Sequence, residues 1–200
     1  MSKLLDDAVG ELSRLPGIGR RTALRLALHM LRMEREDVSR MTQVIDSFRN
    51  GIKYCAYCNN LSDEDICPIC SDQSRDRSMV CVVEQVGDVL SIENTRQYNG
   101  LYHVLGGVIS PMQGIAPSDL KIDLLLDNIA RGEIKEVILA VSTTVEGETT
   151  LFYIMRRLEQ FPELKVTTIA RGIGFGDEIE YADELTIAHA IHNRTQISRQ

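Results

Sequence analysis

No apolar run in the 200-residue chain approaches the ~20 residues that cross a bilayer as a helix, so no membrane-spanning helix is expected. The stretch from Met1 to Asp7 lacks the basic-then-apolar pattern of a secretory signal. A cytoplasmic setting is expected, where cysteines are metal ligands or free thiols before they are disulfides. No internal repeat or low-complexity tract occurs, which removes solenoids and disordered linkers from consideration. Acidic residues are missing between Glu11 and Glu34, and that gap holds Arg14, Arg20, Arg21, Arg25 and Arg32.

The net charge of −7 taken alone argues against a polyanionic partner. Its distribution says the opposite for one end. Residues 1–53 hold ten Lys and Arg against seven Asp and Glu, a net +3, whereas residues 54–200 hold twelve against twenty-two, a net −10. A basic head on an acidic body points to a polyanion site at the head and a basic protein partner for the body.

With 44% hydrophobic and 26% charged residues the chain can build one ordinary domain or a few small ones. Residues 3–53 read as helices, because Leu4, Leu5, Ala8, Leu12 and Leu15 recur at helical spacing, as do Ala23, Leu24, Ala27, Leu28 and Leu31. Residues 54–78 are polar and cysteine-rich. From Met79 short β-branched runs alternate with helical stretches. The strand candidates are Val80–Val83, Tyr102–Leu105, Val137–Val141 and Val166–Ala170; the helices are Val86–Glu93, Asp119–Arg131 and Glu146–Phe161. Such alternation builds a parallel sheet with helices on its faces, and ligand chemistry gathers at the carboxyl ends of its strands. Glu84 and the segment 142–148 fall there. The expected modules are 1–53, 54–78, 79–173 and 174–200.

Leu15-Pro-Gly-Ile-Gly19 joins two helical patterns through a turn. Gly17 and Gly19 allow backbone conformations and close approaches that a Cβ forbids. The amides opening the second helix point outward, where a phosphate accepts from them. Arg20, Arg21 and Arg25 stand near that end. The arrangement resembles a helix-hairpin-helix, which grips the DNA backbone without reading bases. The plainer alternative is a helix–helix turn with solvated arginines.

Cys55-Ala-Tyr-Cys58 and Cys67-Pro-Ile-Cys70 are two C-x-x-C knuckles separated by Asn59–Ile66. Zinc takes four ligands in a tetrahedron and binds thiolates well. About 25 residues cannot fold on an apolar core alone, so the ion supplies the missing free energy. Four sulfurs leave no open coordination position, which makes the site structural. Iron takes the same ligands, and spacing does not separate the two. Cys81 lies in an apolar strand and reads as core.

Val80-Cys-Val-Val-Glu84 ends a strand in a glutamate, with Asp88 on the following helix. Leu139-Ala-Val-Ser-Thr-Thr-Val-Glu-Gly-Glu148 closes another strand. The combination resembles the Toprim domain of topoisomerases and bacterial primases. That resemblance implies a magnesium site built from a glutamate and an Asp-x-Asp, and here Ser142 and Thr144 stand where the two aspartates belong. Neutral hydroxyls do not replace carboxylates toward magnesium. No candidate nucleophilic tyrosine stands in a suitable separate domain. Glu146 and Glu148 also suit the positive end of a helix.

Gly172-Ile-Gly-Phe-Gly176 follows a strand, but no Lys-Ser/Thr comes after it, and Asp177, Glu178 and Glu180 would repel phosphate. His29, His103, His189 and His192 are scattered and receive no catalytic role. The amphipathic stretch Tyr181–His192 is too apolar for a free tail and is expected to pack on this or a neighbouring subunit.

Helix-hairpin-helix, four-cysteine finger, Toprim-like sheet and short C-terminal segment, in this order, resemble the RecR family of bacterial recombination mediators. Leu15–Gly19, the four cysteines, Val80–Glu84, Thr144–Glu148, the segment 169–171 and Ile179–Glu184 carry the likeness, which spans essentially the whole chain. It implies a non-catalytic zinc protein of recombinational DNA repair, located with the nucleoid, that binds single- and double-stranded DNA without sequence preference. It implies self-association to a dimer and a ring-like tetramer. It also implies action with RecO, and with RecF in some bacteria, to load RecA. Glu84, Asp88, Glu146 and Glu148 would then dock the partner. Two alternatives stand beside it: a magnesium-dependent Toprim nuclease or primase-like enzyme using the same four carboxylates, and a zinc-dependent assembly protein with no DNA role.

Overall fold

The computed structural model describes residues 2–194 except Arg171 and Phe175, and not the His189 side chain. Arg171 and Phe175, which belong to segments singled out above, lie outside the described residues. The chain divides after Ile52 into two compact units.

In the first unit, α1 (Lys3–Leu12), α2 (Arg20–Met30) and α3 (Arg35–Gly51) follow one another. Helices α1 and α2 close on Val9, Ala23 and Ala27, with Leu5, Leu12, Ile18 and Leu24 packed around them. The two alanines, one turn apart, remove side-chain bulk where α1 approaches. Helix α3 has no buried residue, and Val44, Ile45 and Phe48 are more than half exposed.

The second unit begins with a two-stranded antiparallel ribbon, β1 (Lys53–Tyr54) and β2 (Leu61–Ser62), followed by the single turn α4 (Pro68–Ser71). Neither two-residue strand is visible as a pattern in the sequence. Then come β3 (Asp76–Val83), α5 (Val86–Thr95), β4 (Gly100–Val104), α6 (Ile122–Ala130), β5 (Glu136–Ala140), α7 (Val145–Leu158), β6 (Lys165–Thr168) and α8 (Glu184–His192). The last four strands form one parallel sheet in the order β4-β3-β5-β6, as the alternation of strands and helices requires. Central β3 is apolar on both faces. Val80 and Val82 join Leu101, Val137 and Leu139 under α6 and α7, while Cys81 and Val83 join Val89, Tyr102 and Val104 under α5.

Helix α6 starts three residues later than its periodicity suggests. Residues 117–119 form a separate 3-10 turn, in which Asp119 Oδ2 accepts the Ala116 N–H at 2.8 Å. The Lys121 N–H then goes to the Leu105 carbonyl at 3.0 Å instead of into a helix. Strand β6 stops at Thr168, two residues before the apolar run ends.

Candidate metal centre and nucleic-acid interface

The ligand atoms of Cys55, Cys58, Cys67 and Cys70 all lie within 4.8 Å of one another, and all four residues are buried. Cys58 Sγ and Cys67 Sγ are 3.6 Å apart. A disulfide needs about 2.05 Å. A tetrahedron with zinc–sulfur bonds of about 2.3 Å puts sulfurs about 3.8 Å apart. The sulfurs are therefore spaced for one zinc ion. Backbone amides turn toward them as well: the Cys67 N–H donates to Cys55 Sγ at 3.3 Å, and the Cys70 N–H to Cys67 Sγ at 3.5 Å. Such donors favour the thiolate form that zinc requires. The hydrogen bond shared by the two sulfurs holds the Cys67 thiol well below the usual thiol range and pushes Cys58 upward. A bound cation would replace that shared proton. Cys81 is separate, and burial pushes its thiol up to about 12, as befits a core residue.

The finger is built into the sheet edge. The Val104 N–H on β4 donates to the Cys58 carbonyl, and the Asn59 amide donates to the Val104 carbonyl, both at 2.8 Å. Asn59 takes the left-handed φ of 60° that this reversal needs, a conformation asparagine tolerates. From α6, the Asn128 amide donates to the Tyr57 carbonyl at 2.6 Å. The Tyr57 ring lies 5.9 Å from the Arg77 guanidinium and 5.8 Å from that of Arg131. Sequence reading missed this docking. The available signal is Asn128, a buried polar residue within the apolar stretch of α6.

At the carboxyl ends of neighbouring β3 and β5 stand the residues of the Toprim-like motif. Glu84 Oε1 accepts the Ser142 N–H at 2.5 Å. The Ser142 and Thr144 hydroxyls hydrogen-bond each other at 2.8 Å. Thr144 caps α7 by accepting the Gly147 N–H at 3.1 Å, and Asp88 caps α5 by accepting the Gln85 N–H at 2.8 Å. Glu146 and Glu148 occupy the first turn of α7, where the helix dipole favours them. Among the described residues, the four cysteines are the only group of three or more His, Cys, Asp and Glu placed to hold a metal ion.

Gly147 has a steric reason. An ideal Cβ there would overlap the Ser142 carbonyl oxygen and Ser142 Oγ. The first turn of α7 presses on the end of β5, so Gly147→Ala should destabilise the second unit by at least about 2 kcal/mol, the scale of a forced backbone shift. Urea unfolding checks this, and a variant as stable as the parent contradicts it.

In the first unit the hairpin has its own logic. Leu15-Pro16-Gly17-Ile18 is a tight turn closed by the Ile18 N–H to the Leu15 carbonyl at 3.0 Å. Proline second and a glycine at φ +78° third are the type II pattern. Gly19 is the N-cap of α2 and offers no side chain to its amides. Arg20 reaches Asp6 at 3.2 Å in an exposed pair. The Arg21 and Arg25 side chains make no hydrogen bond or ion pair among the described residues. They line a shallow groove together with Leu24, Leu28, His29 and Arg32. His29 lies one turn beyond Arg25 on the same helix face, and Arg32 joins them from the turn just after α2.

Of the other histidines, His103 is buried in β4. Its Nε2 donates to the Lys121 carbonyl at 2.7 Å, and burial lowers its pKa to about 4, so it is a neutral core residue. No helix among the described residues is long and apolar enough to cross a membrane.

A parallel sheet with Glu84 and Ser142 meeting at its carboxyl end, a four-sulfur finger on its edge and, in the first unit, a basic helical hairpin define a protein of several small modules. Family models agree with that class. The helix-hairpin-helix of RecR matches residues 5–48, the four-cysteine zinc finger domain of RecR 52–72, the Toprim domain 78–170 and the RecR C-terminal model 172–195. The chain is 56% identical over 194 residues to recombination protein RecR of Bacteroides thetaiotaomicron, covering 97% of this chain and 94% of that one. It is 52% identical over 197 residues to RecR of Parabacteroides distasonis, covering 98% and 94%. For RecR of Flavobacterium johnsoniae the identity is 48% over 198 residues, covering 99% and 96%. The chain belongs to the RecR family of recombination proteins, and its finger is a zinc site.

Proposed function

We propose that this chain is a non-catalytic recombination mediator that grips DNA through its N-terminal hairpin and docks a basic protein on its Toprim face. The observation that carries the DNA reading is the pair Arg21 and Arg25, without counterions among the described residues and beside the uncapped start of α2. Gly17 and Gly19 shape the turn that lets the backbone approach the phosphates, and Arg20 stands at the same end in its pair with Asp6. Such contacts reach phosphates only, so single- and double-stranded DNA both bind, without sequence preference. The working modules are those at 1–53, 54–78, 79–173 and 174–200.

Two features support a lack of catalysis. The Ser142 and Thr144 hydroxyls hydrogen-bond each other, and Glu84 is engaged by a backbone amide. Neither arrangement provides the carboxylate-rich shell that magnesium takes. Glu84, Asp88, Glu146 and Glu148 instead give the carboxyl end of the sheet a negative potential suited to a basic partner. The family points to RecO, with RecF as a further one, and to loading of RecA on single strands at the nucleoid. Exposed Val44, Ile45 and Phe48 on α3, and Leu185 and Ile191 on α8, support self-association to a dimer and a ring-like tetramer. Several weak hairpins in one ring multiply DNA affinity through effective concentration.

The test of the partner face is Glu146→Lys. It is expected to weaken RecO binding at least about tenfold, since reversing a charge in an electrostatic interface costs on the order of a few kcal/mol. DNA binding by the protein alone should stay unchanged, and the effect should shrink in high salt. Calorimetric titration with RecO at two salt concentrations checks it. Parent-like RecO affinity, or magnesium-dependent cleavage that needs Glu84, would remove this reading.

A further inference from the structure

The arginines of the first unit fall into two kinds. Arg14 is held by Glu11 at 2.8 Å, Arg20 by Asp6 at 3.2 Å and Arg40 by Asp37 at 2.7 Å. Arg21, Arg25, His29 and Arg32 make no side-chain hydrogen bond or ion pair among the described residues, and all four are exposed; Arg35 and Arg49 are likewise unpaired but lie on α3, outside the groove lined by the other four. These four share one groove of about 330 Å³ along α2, floored by Leu24 and Leu28, with no carboxylate in its lining. From Arg21 to His29 the helix rises about 12 Å, at about 1.5 Å per residue, and Arg32 follows in the turn just after Met30. One strand of a duplex carries a phosphate every ~3.4 Å of axis, so this row meets several in succession.

We propose that the DNA track does not end at the hairpin but runs the length of α2 and into the turn that follows it, with His29 and Arg32 as further phosphate contacts, while Arg20 contributes little. The proposal rests on the DNA reading above and extends it from the start of the helix to its end. The floor is too small to anchor a protein partner, because Leu24 also belongs to the hairpin core and Leu28 alone is substantially exposed. A second copy set on the groove about a two-fold axis would put cation against cation. A polyanion satisfies all four groups at once. Arg20 adds little because its exposed partner Asp6 already screens it.

The test is salt-dependent binding of a labelled mixed-sequence oligonucleotide, single-stranded and duplex, by the full chain. Arg32→Ala is expected to weaken binding several-fold and to reduce the slope of log K against log salt by about 1, the share of a single phosphate. His29→Lys should strengthen binding and steepen that slope, and Arg20→Ala should change neither by more than about twofold. Light scattering and circular dichroism of each variant report mass and fold. The proposal falls if Arg32→Ala and His29→Lys both keep the parent's slope while Arg21→Glu with Arg25→Glu abolishes binding; the hairpin reading then survives alone. Parent-like binding by that double variant as well would end both. A changed mass with unchanged slope would assign the groove to self-association instead.

Discussion

Cys58→Ser protein is expected to lose its zinc, and with it the native edge of the sheet. The mechanism runs through one residue. Its sulfur is one of four, and its carbonyl receives the Val104 N–H of β4 at 2.8 Å. Zinc contributes roughly 10–16 kcal/mol of folding free energy to a small four-ligand module at neutral pH. A whole domain is stable by only about 5–15 kcal/mol. Three thiolates and a hydroxyl hold the ion far less well, so the knuckle at 55–58 should open. That opening removes the hydrogen bonds from Asn59 and Asn128 that tie the finger to β4 and α6. Strand β4, paired on its other side to β3, is then an exposed sheet edge and a route to aggregation. The expected product is insoluble, or soluble with the Val104 amide unprotected against hydrogen exchange. Metal analysis of the parent should give one zinc per chain. A variant with the parent's melting temperature and full protection at Val104 would break the link between finger and sheet. A parent with neither zinc nor iron would break the metal assignment.

Much of this architecture is legible in the residues, for identifiable reasons. Strands such as Val80–Val83 are buried on both faces, so they stand out as continuous apolar runs, and the parallel sheet follows from what separates them. The cysteines declare themselves because chelation fixes their spacing. Pro16 and Gly17 announce a turn because that pair suits its dihedral angles. The finger's docking is different. It depends on the backbone carbonyls of Tyr57 and Cys58, which every residue type offers equally. The two-residue strands β1 and β2 are too short for any periodicity. In the Toprim-like site the missing aspartates are visible, but the destinations of Ser142 and Thr144 are not. Their mutual hydrogen bond, and the bond from the Ser142 amide to Glu84, depend on how β3 and β5 end side by side. The pairing of Arg20 with Asp6 is equally hidden, since the two lie fourteen residues apart on different helices.

The same contrast makes the double reversal Arg21→Glu, Arg25→Glu informative. Both side chains are exposed and make no ion pair among the described residues, so their replacement disturbs no native pairing. The hairpin core of Val9, Ala23 and Ala27 lies on the other side of α2. Glutamate forms helices about as well as arginine and is favoured in a first turn. Fold and melting temperature should therefore stay close to the parent's. DNA binding should not. Each phosphate contact contributes about 0.9 to the slope of log K against log salt, and reversal turns two attractions per chain into two repulsions. If the hairpins act together in one assembly, the loss multiplies across subunits. At physiological salt the expected drop exceeds about 100-fold, for single-stranded and duplex DNA alike, because neither arginine reads a base. Binding of RecO at the opposite charge, on the carboxylate face, should be unaffected. Anisotropy titrations at several salt concentrations, beside thermal unfolding of the same preparation, check both halves. Unchanged DNA affinity in a folded double variant would move the DNA site away from α2. Weakened affinity with an unchanged salt slope would show that the two arginines act through structure and not by meeting phosphates.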